Sequence, residues 1–325
     1  MSTPEIGAKI YQYSHTIGID DSAGRSFRCA VDLALGPEGR LYVLQRGVSL
    51  QKNLAVKICS VDEEFFGDFG SYGTGPGEWV WPAGIAADSQ QQLYISDEWN
   101  QRITVFDKQG NLLDEWGEEG AEEGLLNRPS GLAFDANAHL LVVDAYNHRI
   151  QKFTKDGKFL STWGSYGSGP GQFNLPWGIA VNGAGEVYVT DWRNDRVQKF
   201  GPQGDFYLQW GSSGNGEGEF NRPVGIAVDQ TGDVYVVDWH NHRVQIFDST
   251  GGFQTQLTGD ATLSTWAEQL LAANPVMMEQ RRVAKDLSQE KGFWNPRGVK
   301  VDDQGRVFVV DSSRGRLQVY RKVTA

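Results

Sequence analysis

Short apolar runs recur along this chain with a regular polar punctuation. A nearly continuous apolar stretch such as Gly-Ile-Ala-Val is followed by a polar turn (GAGE, QTGD). A second strand such as VYVTD follows, then a D-x-x-N-x-R turn and a run with period-two alternation, Arg196 to Phe200. Continuous apolar runs of this length suit strands covered on both faces, whereas strict alternation suits strands with one face covered. An F-L-S-T-W-G ending at 159–164 supplies a fourth strand.

The unit repeats. Segments beginning at Pro82, Pro129, Pro176 and Pro223 align without gaps and lie 47 residues apart. A further copy begins at Pro296, and a degenerate first copy, VDLALGPEGRLYVLQRG, is read from Val31, with Leu33 in the Gly position and Arg46 in the Asp position. Four antiparallel strands in a period of this length define a propeller blade.

The fixed offsets of P-x-G-I-A, the strand-terminal Asp and N-x-R-V-Q-x-F resemble the NHL repeat from about Val31 to Lys322. The resemblance implies an all-β fold: a six-bladed β-propeller of four-stranded antiparallel blades forming one domain over 1–325. NHL propellers include RNA-binding modules, protein-interaction scaffolds and the lyase that completes peptide amidation, so the fold leaves function open. The last copy ends after three strands. The alternating segment AKIYQYSHTIG before the first copy is expected to supply the missing outer strand and close the ring, removing a free edge.

Between the fifth and sixth copies the spacing grows to 73 residues. The extra sequence, 260–292, is expected to be a helical insert. Leu263, Trp266, Leu270 and Leu271 fall at helical spacing behind Asp260 or Thr262 as a cap, and Asn274-Pro275 starts a second helix reaching about Leu287. Because it replaces a connector entering an innermost strand, the pair is expected to act as a lid over the channel face. Met277 would supply an adaptable surface toward a ligand.

The Asp and Arg of D-x-x-N-x-R recur in five copies, and a feature repeated in every blade serves the scaffold. Chemistry is sought where copies differ, on the face formed by the turn before the innermost strand and the turn after the second. Asp32, Trp177 and Arg297 project there from the first set. Arg46, Trp99, Tyr146, Trp192, Arg193, Trp239 and His240 project from the second. Aromatic walls with a few convergent charges suit a small-molecule pocket. His240 or Tyr146 would transfer a proton, while Arg193 and Arg297 hold an anion. His148 and His242, each just before a repeat Arg, are read as surface turn positions.

No metal-binding histidine set, nucleophile elbow or CxxC pair occurs, and no cofactor is specified. The expected function is therefore a small-molecule-binding propeller, a lyase or hydrolase if catalytic. The alternative is a protein-interaction scaffold. The net charge of −11 disfavours nucleic acid as a partner. No apolar run approaches membrane-spanning length, and the start, MSTPEIGAKIYQYS, lacks a secretory apolar core, so the expected location is cytoplasmic.

Overall fold

A computed structural model describes residues 9–19, 25–49, 52–284 and 286–324. Six four-stranded antiparallel sheets form the blades. Their innermost strands are Ala30–Leu35, Pro82–Ala87, Pro129–Phe134, Pro176–Val181, Pro223–Val228 and Pro296–Val301. The N-terminal strand Lys9–Gly18 is the outer strand of blade 6, running antiparallel to Arg316–Thr324 with a bulge between Tyr13 and His15. The ring closes as the sequence predicts.

Burial follows the two kinds of apolar pattern. The second strands Leu140–Asp144, Val187–Asp191 and Val234–Asp238 are buried at every position, while the outer strand Phe206–Tyr207–Leu208–Gln209–Trp210 alternates. Core clusters straddle the seams: Leu141 and Val143 of blade 3 pack with Ile179, Val187 and Phe200 of blade 4. Around the channel, close approach demands glycine. A Cβ on Gly84, Gly131, Gly178 or Gly225 would lie under 3.0 Å from a backbone carbonyl oxygen of the next blade.

Strand register corrects the reading of the first copy. Ala30 pairs with Gln45 as Pro82 pairs with Asp97, so the copy starts at Ala30 rather than Val31. Asp32, not Leu33, therefore holds the Gly position, and Gln45, not Arg46, holds the Asp position. Gln45 buries its amide and donates Nε2 to the carbonyls of Ser26 and Arg28. With neither the Pro-x-Gly nor the terminal Asp present, the alignment had little to fix it.

The repeated Asp is structural. Asp191 is fully buried; Oδ1 accepts from Asn174 N at 2.7 Å and Oδ2 from Asn194 Nδ2 and Arg196 Nε, each at 2.8 Å. Arg196 then donates to the carbonyls of Ser168, Gly169 and Gln172. One carboxylate and one guanidinium thereby organise the Gly-rich connector, and charged bonds of this kind are the stronger ones. Blade 2 differs: Arg102 pairs instead with Glu115 at 3.4 Å.

A second seam device sits before the repeat proline. Arg128, Leu175, Arg222 and Asn295 all have left-handed backbones, with φ of 53°, 53°, 61° and 52°. Each N–H is fixed by the preceding blade: to Gln101 Oε1 (2.6 Å), His148 Nδ1 (3.1 Å), Asp195 Oδ1 (2.7 Å) and His242 Nδ1 (3.2 Å). The two histidines read as surface turns are thus interblade acceptors, a role that requires Nδ1 to be unprotonated.

Burial holds His148 below its ordinary value of 6.5, with Asp191 and Asp144 opposing. The unfolded chain therefore takes up the proton first. His148's contribution is complete above pH 6.5 and is lost as pH falls through the folded value. His148→Gln, which copies Gln101, should retain the bond. Thermal melts at pH 7.5 and 5.5 should show a smaller acid-induced drop in Tm for the variant, by about 1 kcal/mol of stability. An identical drop would remove His148 from the acid response.

The insert folds as helices over Thr265–Ala272, Pro275–Val283 and Ser288–Lys291. The first cap is Ser264, whose Oγ accepts from Ala267 N, rather than Asp260 or Thr262. Asn274 caps the second helix ahead of Pro275, as expected, but that helix stops at Val283. The insert lies at the rim. Trp266 is buried between Phe27 and Phe65, Ser264 donates to Gly18 O, and Thr262 N donates to Tyr13 Oη.

Candidate functional site

The channel-mouth face is built from residues flanking the strand ends, where the repeat leaves the side chain free to vary. Its main feature is guanidinium groups laid on aromatic rings. Arg46 and Arg128 stand over Trp81 at 5.4 and 5.6 Å, and Arg128 also covers Tyr146 at 4.5 Å. Arg222 and Arg193 flank Trp192 at 4.4 and 5.5 Å, and Arg297 stands over Trp239 at 4.7 Å. Each contact suits a cation over a ring face. Trp81 meets Trp99 edge-on at 5.1 Å, and Trp177 lies 6.2 Å from Trp192.

A buried carboxylate stands among these cations. Glu98 is 4 % exposed, and its Oε1 lies 2.8 Å from Arg46 Nη1. That contact is close enough for an ion pair but out of line for a hydrogen bond, so Oε1 is left without one. Burial pushes the Glu98 carboxyl above its usual range, with Arg46, Arg128 and Arg297 opposing. Arg297 is drawn down to about 10, first by burial and then by Arg46, with Glu98 opposing. His240 stacks on Trp239 at 4.2 Å. Desolvation, then Arg222, His242 and Arg297, hold it below the ordinary imidazole value.

Below the mouth, Asp32 bonds its own blade and the next: Oδ1 accepts from Leu33 N, Oδ2 from Ile85 N, and Lys300 lies 3.6 Å away. Desolvation raises this carboxyl, with Lys300 opposing. Asp32, Trp177 and Arg297 line a recess of only about 30 Å3. Drug-sized ligands usually occupy about 300–1,000 Å3. The face is therefore a shallow surface.

The structure brings Asp32, Trp177 and Arg297 to this recess. Arg46, Trp99, Tyr146, Trp192, Arg193, Trp239 and His240 are distributed around it. Tyr146 and His240 belong to different clusters: Arg128 donates to Tyr146 Oη at 3.3 Å, whereas His240 packs on Trp239. Met277 stands apart, in a cleft of about 310 Å3 under the rim insert. The insert is drawn there because Trp266 finds its apolar partners at the blade 6–blade 1 seam.

Trp81, Arg128 and Arg222 were not anticipated. All three immediately precede the repeat proline, and Asn-Arg-Pro recurs at 127–129 and 221–223. The left-handed backbone at Arg128 and Arg222 has no sequence signature beyond that repetition. Among the described residues, no group of three or more His, Cys, Asp or Glu side chains is arranged to hold a metal ion.

Fold and face together define an NHL-repeat β-propeller. The NHL repeat model matches residues 80–106, 126–153, 173–200, 220–247 and 293–320. The blade it omits is the first, where the Pro-x-Gly and the terminal Asp are replaced.

Among solved structures, the chain is similar to virginiamycin B lyase from Staphylococcus aureus, with TM-score 0.57 and 13% identity, covering 97% of this chain and 100% of that one. It is also similar to a protein of unknown function from Bacteroides thetaiotaomicron, with TM-score 0.65 and 19% identity over 97% and 76%. A third is hydrazine synthase from Kuenenia stuttgartiensis, at 0.56 and 12% over 91% and 96%. At these identities the likeness is one of fold. No curated protein matches the sequence. Among the described residues, no helix is long and apolar enough to cross a membrane.

Proposed function

We propose that the channel-mouth face is a docking platform for an acidic, extended peptide segment of a partner protein. The observation that carries this reading is the charge pattern. Arg128, Arg193, Arg222 and Arg297 are stacked on aromatic rings, while the buried carboxylate Glu98 is taken by Arg46 and that of Asp32 faces Lys300. In a chain of net charge −11, that is a local cationic surface awaiting anionic groups. Trp, Tyr and Arg are also the residues that dominate binding energy at protein interfaces. The shallow recess favours an extended partner over a buried small molecule.

A second reading rests on Glu98. A buried carboxyl raised above its usual range, with one oxygen lacking a hydrogen bond and beside Arg46, suits proton transfer to an anionic small molecule. The lyase among the fold neighbours is compatible with such chemistry without specifying a substrate.

The test is fluorescence anisotropy with a labelled Glu-rich peptide containing one Trp. Micromolar binding that weakens between 50 and 200 mM salt is expected. Arg297→Ala and Trp177→Ala should each weaken it about tenfold or more, costing roughly 1.4 kcal/mol or more of binding. Their Tm should stay within a few degrees of wild type. Unchanged binding in both variants, or much tighter binding of oligouridylate, would overturn the peptide reading.

A further inference from the structure

The rim insert poses a separate problem. The helix Pro275–Val283 is capped at its start by Asn274 but contains no buried residue, although it carries Val276, Met277, Met278 and Val283. Val276 is 66 % exposed and Val283 60 %. Short helices in proteins draw most of their stability from an apolar face packed against something. Here the inner side of the helix borders the cleft of about 310 Å3, whose apolar wall includes Ile19, Leu263, Leu270, Leu271 and Met277.

The cleft also has a charged end, and its cations differ in how fully they are used. Arg281 is held by both oxygens of Glu290 at 2.7 Å, and Arg316 by Asp311 at 2.8 Å. Arg314 donates Nη2 to the Gln289 carbonyl and lies 5.5 Å over Trp294, yet its buried Nε has no partner. Arg314 lines the cleft but, unlike Arg281 and Arg316, has no carboxylate partner among the described residues, and a carboxylate entering the cleft would supply one.

We propose that this rim cleft binds an amphipathic anion: an apolar chain of medium length ending in a carboxylate. The chain lies along Leu270, Leu271 and Met277, where it covers the apolar side chain that the second helix turns to the cleft, and the carboxylate meets Arg314. Its volume is at the lower end of the range for small-molecule sites, which limits the chain to medium length. The cleft shares no lining residue with the channel-mouth recess, so the two can be tested apart.

The probes are decanoate, decanol and decyltrimethylammonium, each below its micellar concentration, titrated calorimetrically into the full chain. Decanoate is expected to bind at least tenfold tighter than decanol and to raise Tm, with no binding of the cation. Hydrogen exchange across 276–283 should slow on adding decanoate. Arg314→Gln should abolish the tenfold preference while leaving decanol binding. Met277→Glu, at a partly exposed position that does not support the core, should abolish both.

Equal affinity for decanoate and decanol in wild type would overturn the proposal. So would an Arg314→Gln variant that keeps the preference, or exchange in the second helix indifferent to decanoate. Acidic-peptide binding should be the same in Arg314→Gln as in wild type, which separates failure of this site from failure of the platform.

Discussion

A chain lacking residues 1–16 is expected to aggregate rather than fold into an open ring. The deletion removes most of Lys9–Gly18 and strips the Arg316–Thr324 strand of its antiparallel partner. Three latches are lost with it. Tyr11 Oη donates to Asp233 and contacts Tyr235 Oη at 3.1 Å, joining blade 6 to blade 5. His15 Nε2 bonds Val61 O at 2.9 Å, joining blade 6 to blade 1. Tyr13 anchors the insert through Thr262.

An unpaired strand edge is a template for other chains. The loss is comparable to the whole stability of a domain, about 5–15 kcal/mol. Gel filtration and a thermal melt decide the matter. A monomer melting like the full chain would show that the strand is dispensable.

The second large effect concerns the channel wall. Gly178→Ala is expected to cost roughly 3–5 kcal/mol and to lower Tm by on the order of 10 °C. A Cβ at Gly178 would fall under 3.0 Å from the Val224 carbonyl oxygen, in the inner strand of the next blade. That oxygen is already fixed, because Thr190 Oγ1 donates to it at 2.7 Å while accepting from Gly178 N. Neither side can yield without opening the seam. Gly183→Ala is the control: nothing lies within 4 Å of its Cβ, and it should change stability by less than about 0.5 kcal/mol. Equal behaviour of the two variants would show that the blades can slide apart at little cost.

Periodicity made the architecture legible. Proline, glycine, the strand-terminal Asp and the aromatic run-ends recur at one interval, so blades 2 to 6 and the closing strand could be read directly. Blade 1 was misplaced by one residue because Ala30, Asp32 and Gln45 stand where the marker residues would be. The insert was recognised as helical, but its position over the rim depended on where Trp266 would find apolar partners. No local pattern encodes that.

Less of the site was legible. Side chains just after the proline and after the Asp could be singled out because they differ between copies. Arg128 and Arg222 reach the site only because a neighbouring blade pins their N–H groups in a left-handed turn. Glu98 directly follows the repeated Asp97, a position that by itself gives no sign of burial. Its burial against Arg46 comes from the register of blade 1, the register that the sequence had obscured.

Closure by an N-terminal strand also sets a timetable for biosynthesis. Lys9 lies opposite Thr324 in the finished sheet, so the closing strand must wait for about 300 later residues before it can pair. At about 5–20 residues per second, that wait lasts roughly 15 to 60 s. Blades 2 to 5 can each assemble as their own residues emerge, but blade 6 cannot be completed until Arg316–Thr324 has emerged. Until then the nascent chain carries an unpaired strand with alternating tyrosines, and folding factors that cover such a segment would act at this stage.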